Sequence, residues 1–256
     1  MKISANLSLL FKDLPLLERF AAARRAGFDA IEIQSPYGGS SADLRRGAAD
    51  AGLPVVLINA PTIAETYPFG LAARPEMRDE FRSLLPLAVE YADALQVSCV
   101  HVLGGICTPQ DQQVCRATYV NNLMLAAKTL KGRQVVTEFI NPLDLPGYVS
   151  DCLSVALEIL ADCHGQVRLQ FDLYHAARTQ LDIATELRTC LRHVAHIQFA
   201  DAPGRHEPGT GITPFPEILQ MLKAARYSGY LGAEYYPIAG TEEGLDWLPR
   251  WQEEFS

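Results

Sequence analysis

Short apolar runs alternate with longer amphipathic stretches along the whole chain, and this rhythm predicts eight strands and eight helices. The first strand is KISAN at 2–6. A helix over 14–26 follows, with Leu16, Leu17, Phe20 and Ala23 on one face and Gly27 as its stop. AIEI at 30–33 is the second strand. A helix over 40–51 follows, with Ser40 or Ser41 as N-cap and Gly52 as its stop. VVLIN at 55–59 is the third strand. The connection after it, with Pro61, Pro68 and Gly70, is longer than a usual βα loop and points to function at that end. Helix 75–94, strand 97–103, helix 109–130 and strand 134–138 come next. Helix 150–163, strand 167–172, helix 179–190 and strand 194–199 continue the alternation. A turn-rich loop, DAPGRHEPGTG, precedes helix 214–225, strand 230–235 and a last helix over 241–254.

Helices between successive strands imply crossovers and a parallel sheet. Eight such units predict closure into a single (β/α)8 TIM barrel over 1–256, although a count by itself also permits an open sheet. The length of 256 residues suits one barrel as well as two average domains.

Four late strands end on an oxygen-bearing side chain: VVTE on Glu138, VRLQFD on Asp172, VAHIQ on Gln198 and YLGAE on Glu234. A single such residue is what any strand leaving a core shows. Four in succession, on strands whose C-terminal ends share the active rim of a barrel, predict convergence on one hard cation such as Mg²⁺ or Mn²⁺. His175, three residues past Asp172, is read as a loop histidine that donates to a substrate oxygen or packs at a helix start. Glu32 and Asn59 are second-rank rim residues. Arg205 offers a planar fork for a substrate carboxylate, against the alternative of a solvated arginine. His101 is read as a hydrogen-bonded core histidine and His196 as a packed interior one. The glycines of GTG at 209–211 form a weak anion cradle.

Composition narrows the class. Apolar residues make up 48% and charged residues 20%, which is globular. The net charge of −8, without a Lys/Arg cluster, argues against nucleic acid as partner. The six cysteines form no CxxC pair, so a structural zinc site is not expected. No signal-like start and no run of membrane-spanning length is evident, which predicts a cytoplasmic protein without a membrane partner. No GxGxxG, GxxxxGK[ST] or GxSxG occurs, so neither a nucleotide cofactor nor serine hydrolase chemistry is expected. Leu245, Trp247, Leu248 and Trp251 either pack on the barrel, the preferred reading, or form the interface of a homo-oligomer.

The motifs SANLS (4–8), FDLYH (171–175), HIQFAD (196–201), EPGTG (207–211) and GAEYYP (232–237) occur in the order seen in the hydroxypyruvate isomerase family, which this chain resembles from Ile3 to about Trp247. That family belongs to the xylose-isomerase-like barrels, includes isomerases of 2-oxo-tetronates and is related to ketose 3-epimerases. The resemblance implies an aldose-ketose isomerase of a short sugar acid or ketose. Its divalent metal would be held by Glu138, Asp172, Gln198 and Glu234, with Glu138 and Glu234 as the acid/base pair. The related epimerases usually carry His where Gln198 stands. A non-catalytic sugar-acid binder is the reading from another class, but it would need neither acid/base carboxylate. The chain departs from the family pattern at Phe139, Ile212 and Tyr236, where Pro, Glu and Lys are usual. All three departures are expected to shape substrate choice on the rim.

Overall fold

The computed structural model describes residues 1–255. Eight parallel strands hydrogen-bond in sequence order and close, β8 on β1, into a barrel. They are β1 (Lys2–Asn6), β2 (Ala30–Ile33), β3 (Val55–Asn59), β4 (Cys99–His101), β5 (Gln134–Glu138), β6 (Val167–Asp172), β7 (Val194–Phe199) and β8 (Tyr230–Ala233). The described residues form nine α-helices, which lie between or after the strands. They are α1 (Leu16–Ala26), α2 (Ser41–Ala51), α3 (Arg78–Leu95), α4 (Gln112–Thr129), α5 (Leu153–Asp162), α6 (Leu173–Arg178), α7 (Ile183–Cys190), α8 (Phe215–Ala224) and α9 (Trp247–Phe255). Helices α1 and α2 stop at Gly27 and Gly52, both in the left-handed region at φ 96° and 64°, as their positions in sequence predict. Ser40 caps α2 by accepting from the Asp43 amide.

Most helices start one to four residues later than expected, and four further differences stand out. The run at 97–103 supplies only a three-residue strand. Beyond it, Leu103 and Gly104 pair with the long loop after β3, through Ala72 and Ala73 amides and a Gly70–Gly104 bridge. Strand β8 ends at Ala233, one residue before Glu234. The segment after β6 enters a helix at once, so α6 precedes α7 and His175 is helical rather than in a loop. The last helix starts at Trp247, after a 3-10 turn at Glu242–Gly244.

Inside the barrel, side chains stack in layers. Glu32 on β2 and His196 on β7 sit on non-adjacent strands, so their 2.8 Å contact crosses the interior. Ser4 Oγ also donates to Glu32, at 2.6 Å. Leu57, Cys99 and Val136 form a buried apolar cluster of their own. Gly232 on β8 belongs here because a Cβ on it would lie 2.0 Å from Glu32 Oε1. Burial works to raise the Glu32 carboxyl, but the charge of His196 and hydrogen bonds from His196, Ser4 and Gln198 hold it below its ordinary value. Glu32 is therefore an interior residue beneath the rim rather than a second-rank rim group. His196 is packed as expected.

Outside the strands, Trp247 and Trp251 of α9 pack among Phe199, Phe215, Phe28 and Tyr235. Trp247, Leu248 and Trp251 are buried there, so this apolar set packs on the barrel. No helix among the described residues is long and apolar enough to cross a membrane.

Candidate active site

Each parallel strand delivers a polar residue within one residue of its C-terminal end: Asn6, Gln34, Asn59, His101, Glu138, Asp172, Gln198 and Glu234. Strand-end position puts them in one ring, and a cavity of about 340 Å³ opens above it. Asn59, Glu138, His175, Arg205 and Glu234 line that cavity, as do Gln34, His101, Gln170 and Tyr236. Asp172 and Gln198 are almost wholly buried beside them.

The tightest grouping is Glu138, Asp172 and His175, whose potential ligand atoms all lie within 4.8 Å of one another. His175 Nε2 stands 3.7 Å from Asp172 Oδ2 and 3.9 Å from Glu138 Oε1. Asp172 divides its labour: Oδ1 caps α6 by accepting the Tyr174 amide at 2.8 Å, leaving Oδ2 for the site. Glu138 Oε1 is buried and has no hydrogen-bond partner among the described residues.

Gln198 and Glu234 adjoin this group through their own network. Gln198 Nε2 donates to Glu32 at 2.7 Å and to Glu234 Oε1 at 3.3 Å, and its Oε1 accepts from Gln170 at 2.6 Å. Gln170 also donates to Glu138 Oε2 at 3.1 Å. Glu234 accepts from Asn6, Gln34, Gln198 and Arg205. Arg205 reaches in from the loop after β7, its Nη2 2.6 Å from Glu234 Oε2 and 3.4 Å from Asp172 Oδ2. Its guanidinium lies over the Tyr174 ring at 4.9 Å.

Three carboxylates around one guanidinium leave unbalanced negative charge. Burial, then repulsion from Asp172 and Glu234, pushes the Glu138 carboxyl well above its ordinary range. Burial raises Asp172 to about 7, with Arg205 pulling it down and Glu234 pushing it up. Burial, then Arg205 and His101, pushes His175 well below its ordinary value and keeps it neutral. His101 falls to about 3, chiefly by burial and then by the charge of His196. Its Nε2 lines the cavity 3.8 Å from Glu138 Oε2 without a partner among the described residues, so it is not the satisfied core histidine expected.

The GTG cradle already holds an anion from within the chain. Asp201 accepts the amides of Gly209, Gly211 and Thr213 at 2.8–2.9 Å. That closes the loop bearing Arg205, whose carbonyl accepts the Tyr236 amide at 2.9 Å. Of the three departures, Tyr236 alone lines the cavity among the described residues. Phe139 is fully buried, edge-on to Phe171 at 5.4 Å between ring centroids. Ile212 is 74% exposed to solvent.

Sequence reasoning passed over Asn6, Gln34, Gln170 and Asn141. Asn6 and Gln34 show the same signal as Gln198, a polar residue closing an apolar run. Gln170 lies two residues before Asp172, the spacing that puts both on one face of a strand. Asn141, in an irregular loop, carries no such mark.

The family described as Xylose isomerase-like TIM barrel matches residues 20–251. The chain belongs to that family, and the names of its curated relatives make it an enzyme of the isomerase class. Among its curated relatives is the 2-oxo-tetronate isomerase of Cupriavidus necator, 36% identical over 96% of this chain and 97% of that one. Another is the hydroxypyruvate isomerase of Escherichia coli, 32% identical over 97% and 98%. A crystal structure described as AP endonuclease, family 2 from Brucella melitensis superposes at a TM-score of 0.93, with 32% identity over 98% of this chain and 99% of that one.

Proposed function

We propose that this isomerase shifts a carbonyl between adjacent carbons of a short sugar acid by proton transfer through Glu138 and Glu234, converting hydroxypyruvate to the isomeric α-hydroxy aldehyde or a 2-oxo-tetronate to the isomeric 3-oxo acid. The carrying observation is the buried Oε1 of Glu138, without a hydrogen-bond partner among the described residues, beside a cavity that Glu234 also lines. That oxygen is free to take a proton from carbon or return one. Glu234 is held by four donors, which fix its oxygens for the complementary transfer.

The donor set fits a hard divalent cation. Buried carboxylates repel one another enough to raise Glu138 and Asp172, and a bound cation removes that repulsion. Glu138, Asp172 and Glu234, with the amide oxygen of Gln198, would hold Mg²⁺ or Mn²⁺. When bound, the ion supplies Lewis-acid polarisation of the substrate carbonyl and offsets the charge that develops as the carbon-bound proton leaves.

Arg205, held over Tyr174 with Nε unpartnered among the described residues, would receive the substrate carboxylate. Asn59 and His175 take its remaining oxygens. The carboxylate-rich floor and the net charge of −8 support chemistry on a small sugar acid over attack on a polyanionic nucleic acid strand. The names of the two relatives support the same reading.

The test is exchange of the substrate's carbon-bound hydrogen with D₂O, followed by NMR over hydroxypyruvate, 2-oxo-tetronates and a panel of ketoses. Glu138→Gln and Glu234→Gln should each slow exchange by about 10²–10⁴-fold, the usual contribution of a placed acid/base group. Wild-type exchange rates in both variants would exclude the mechanism. Exchange confined to ketoses would move the chain to the epimerase reading.

A further inference from the structure

Asn141 lies in the loop after β5, and it is fully buried. Its Oδ1 accepts the Asp144 amide at 3.0 Å, which fixes the direction of the side-chain amide. Nδ2 is thereby turned toward Asp144 Oδ2, at 3.0 Å, and toward Nδ1 of His175, at 2.7 Å. An amide NH₂ can only donate, so Nδ1 of His175 accepts. A neutral imidazole that accepts at Nδ1 carries its proton on Nε2. Nε2 is the nitrogen that faces Asp172 Oδ2 and Glu138 Oε1.

A metal-ligating histidine shows the reverse pattern. Its lone pair points to the ion, and its other nitrogen donates N–H to a carboxylate or carbonyl. We infer that Asn141 is a positioning residue that locks His175 in the Nε2–H tautomer, keeping it out of the cation's coordination set and making it a hydrogen-bond donor to a substrate oxygen. Distance alone groups His175 with Glu138 and Asp172 as a ligand. The hydrogen-bond direction at Asn141 decides against that. The inference rests on the proposed metal site for its consequence, but the tautomer itself is independent of it.

The test is two-bond ¹H–¹⁵N NMR on ¹⁵N-histidine-labelled protein, with His175 assigned by its loss in His175→Asn. The ring should show a pyrrole-type Nε2 and a pyridine-type Nδ1, and saturating Mg²⁺ should leave Nε2 protonated. Asn141→Asp places an acceptor opposite Nδ1 and should invert the pattern, with kcat/KM for exchange falling about 10–100-fold, as for other residues that orient a site group. Asn141→Ala, which adds no charge beside Asp144, should let both tautomers appear.

A wild-type ring protonated on Nδ1, or an Nε2 that loses its proton to Mg²⁺, overturns the assignment even if the isomerase reading stands. A Nε2–H ring with no protein response to Mg²⁺ at all supports the assignment and counts against the metal reading.

Discussion

Asp172 shows how one side chain can be read from sequence in position yet not in chemistry. Its place at the end of an apolar run marks it as a rim residue. Its carboxyl rises to about 7 from an ordinary 3.8 because burial, helped by the charges of Glu234 and Glu32, outweighs Arg205 and the Tyr174 amide. The folded state then keeps a proton that the unfolded chain loses, so this group's stabilising contribution is complete below 3.8 and is lost as pH rises through about 7. Asp172→Asn removes that dependence while retaining an N-cap for α6. In urea unfolding without added metal, the variant should therefore gain on the wild type between about pH 4 and about pH 7 and hold that gain above. An offset that does not change with pH would show that Asp172 is not held protonated in the folded state. The neutral histidines His101 and His175 pull in the opposite direction, so the comparison with the variant, not the raw wild-type curve, carries this prediction.

At the scale of elements, the loop from β7 to α8 is organised by Asp201. Three backbone amides converge on its carboxylate, and hydrogen bonds to a charged acceptor are each worth about 1.5–3 kcal/mol. Asp201→Ala leaves those amides without their acceptor, and the anchor of the Arg205 segment loosens. Hydrogen exchange at Gly209, Gly211 and Thr213 should accelerate at least tenfold, while amides in β5 and β6 keep their protection. Unchanged protection at the three amides would mean the loop is held by other contacts. The glycines of GTG are visible in the sequence as an anion cradle. That the anion is Asp201, eight to ten residues upstream, is not, because nothing in the spacing separates an internal carboxylate from a ligand. The same limit applies to β6. Its apolar run is plain, but the immediate turn into α6, which makes His175 helical, depends on the Asp172 cap.

For the whole molecule, barrel closure depends on the outer layer as well as the strands. Trp247 is buried among Phe28, Phe199 and Tyr235, with its Nε1–H 3.3 Å from the Tyr235 hydroxyl. Trp247→Ala should cost about 3–5 kcal/mol, the range for removing a large buried aromatic, seen as a lower urea midpoint with an unchanged slope. A loss under about 1 kcal/mol would show that α9 is not integral to the barrel.

The alternation of apolar runs and amphipathic stretches by itself determined eight βα units and the strand-end positions of Glu138, Asp172, Gln198 and Glu234, because period and burial are local consequences of which residues are apolar. Tertiary structure alone decided how those residues divide. It tied Gln198 and Glu234 into a network reaching Glu32, left Glu138 Oε1 without a hydrogen-bond partner among the described residues, set Arg205 between two carboxylates and turned Asn141 to His175. Those outcomes depend on distances between strands far apart in the chain and on the direction of each hydrogen bond, and neither is written in the spacing of residues along it.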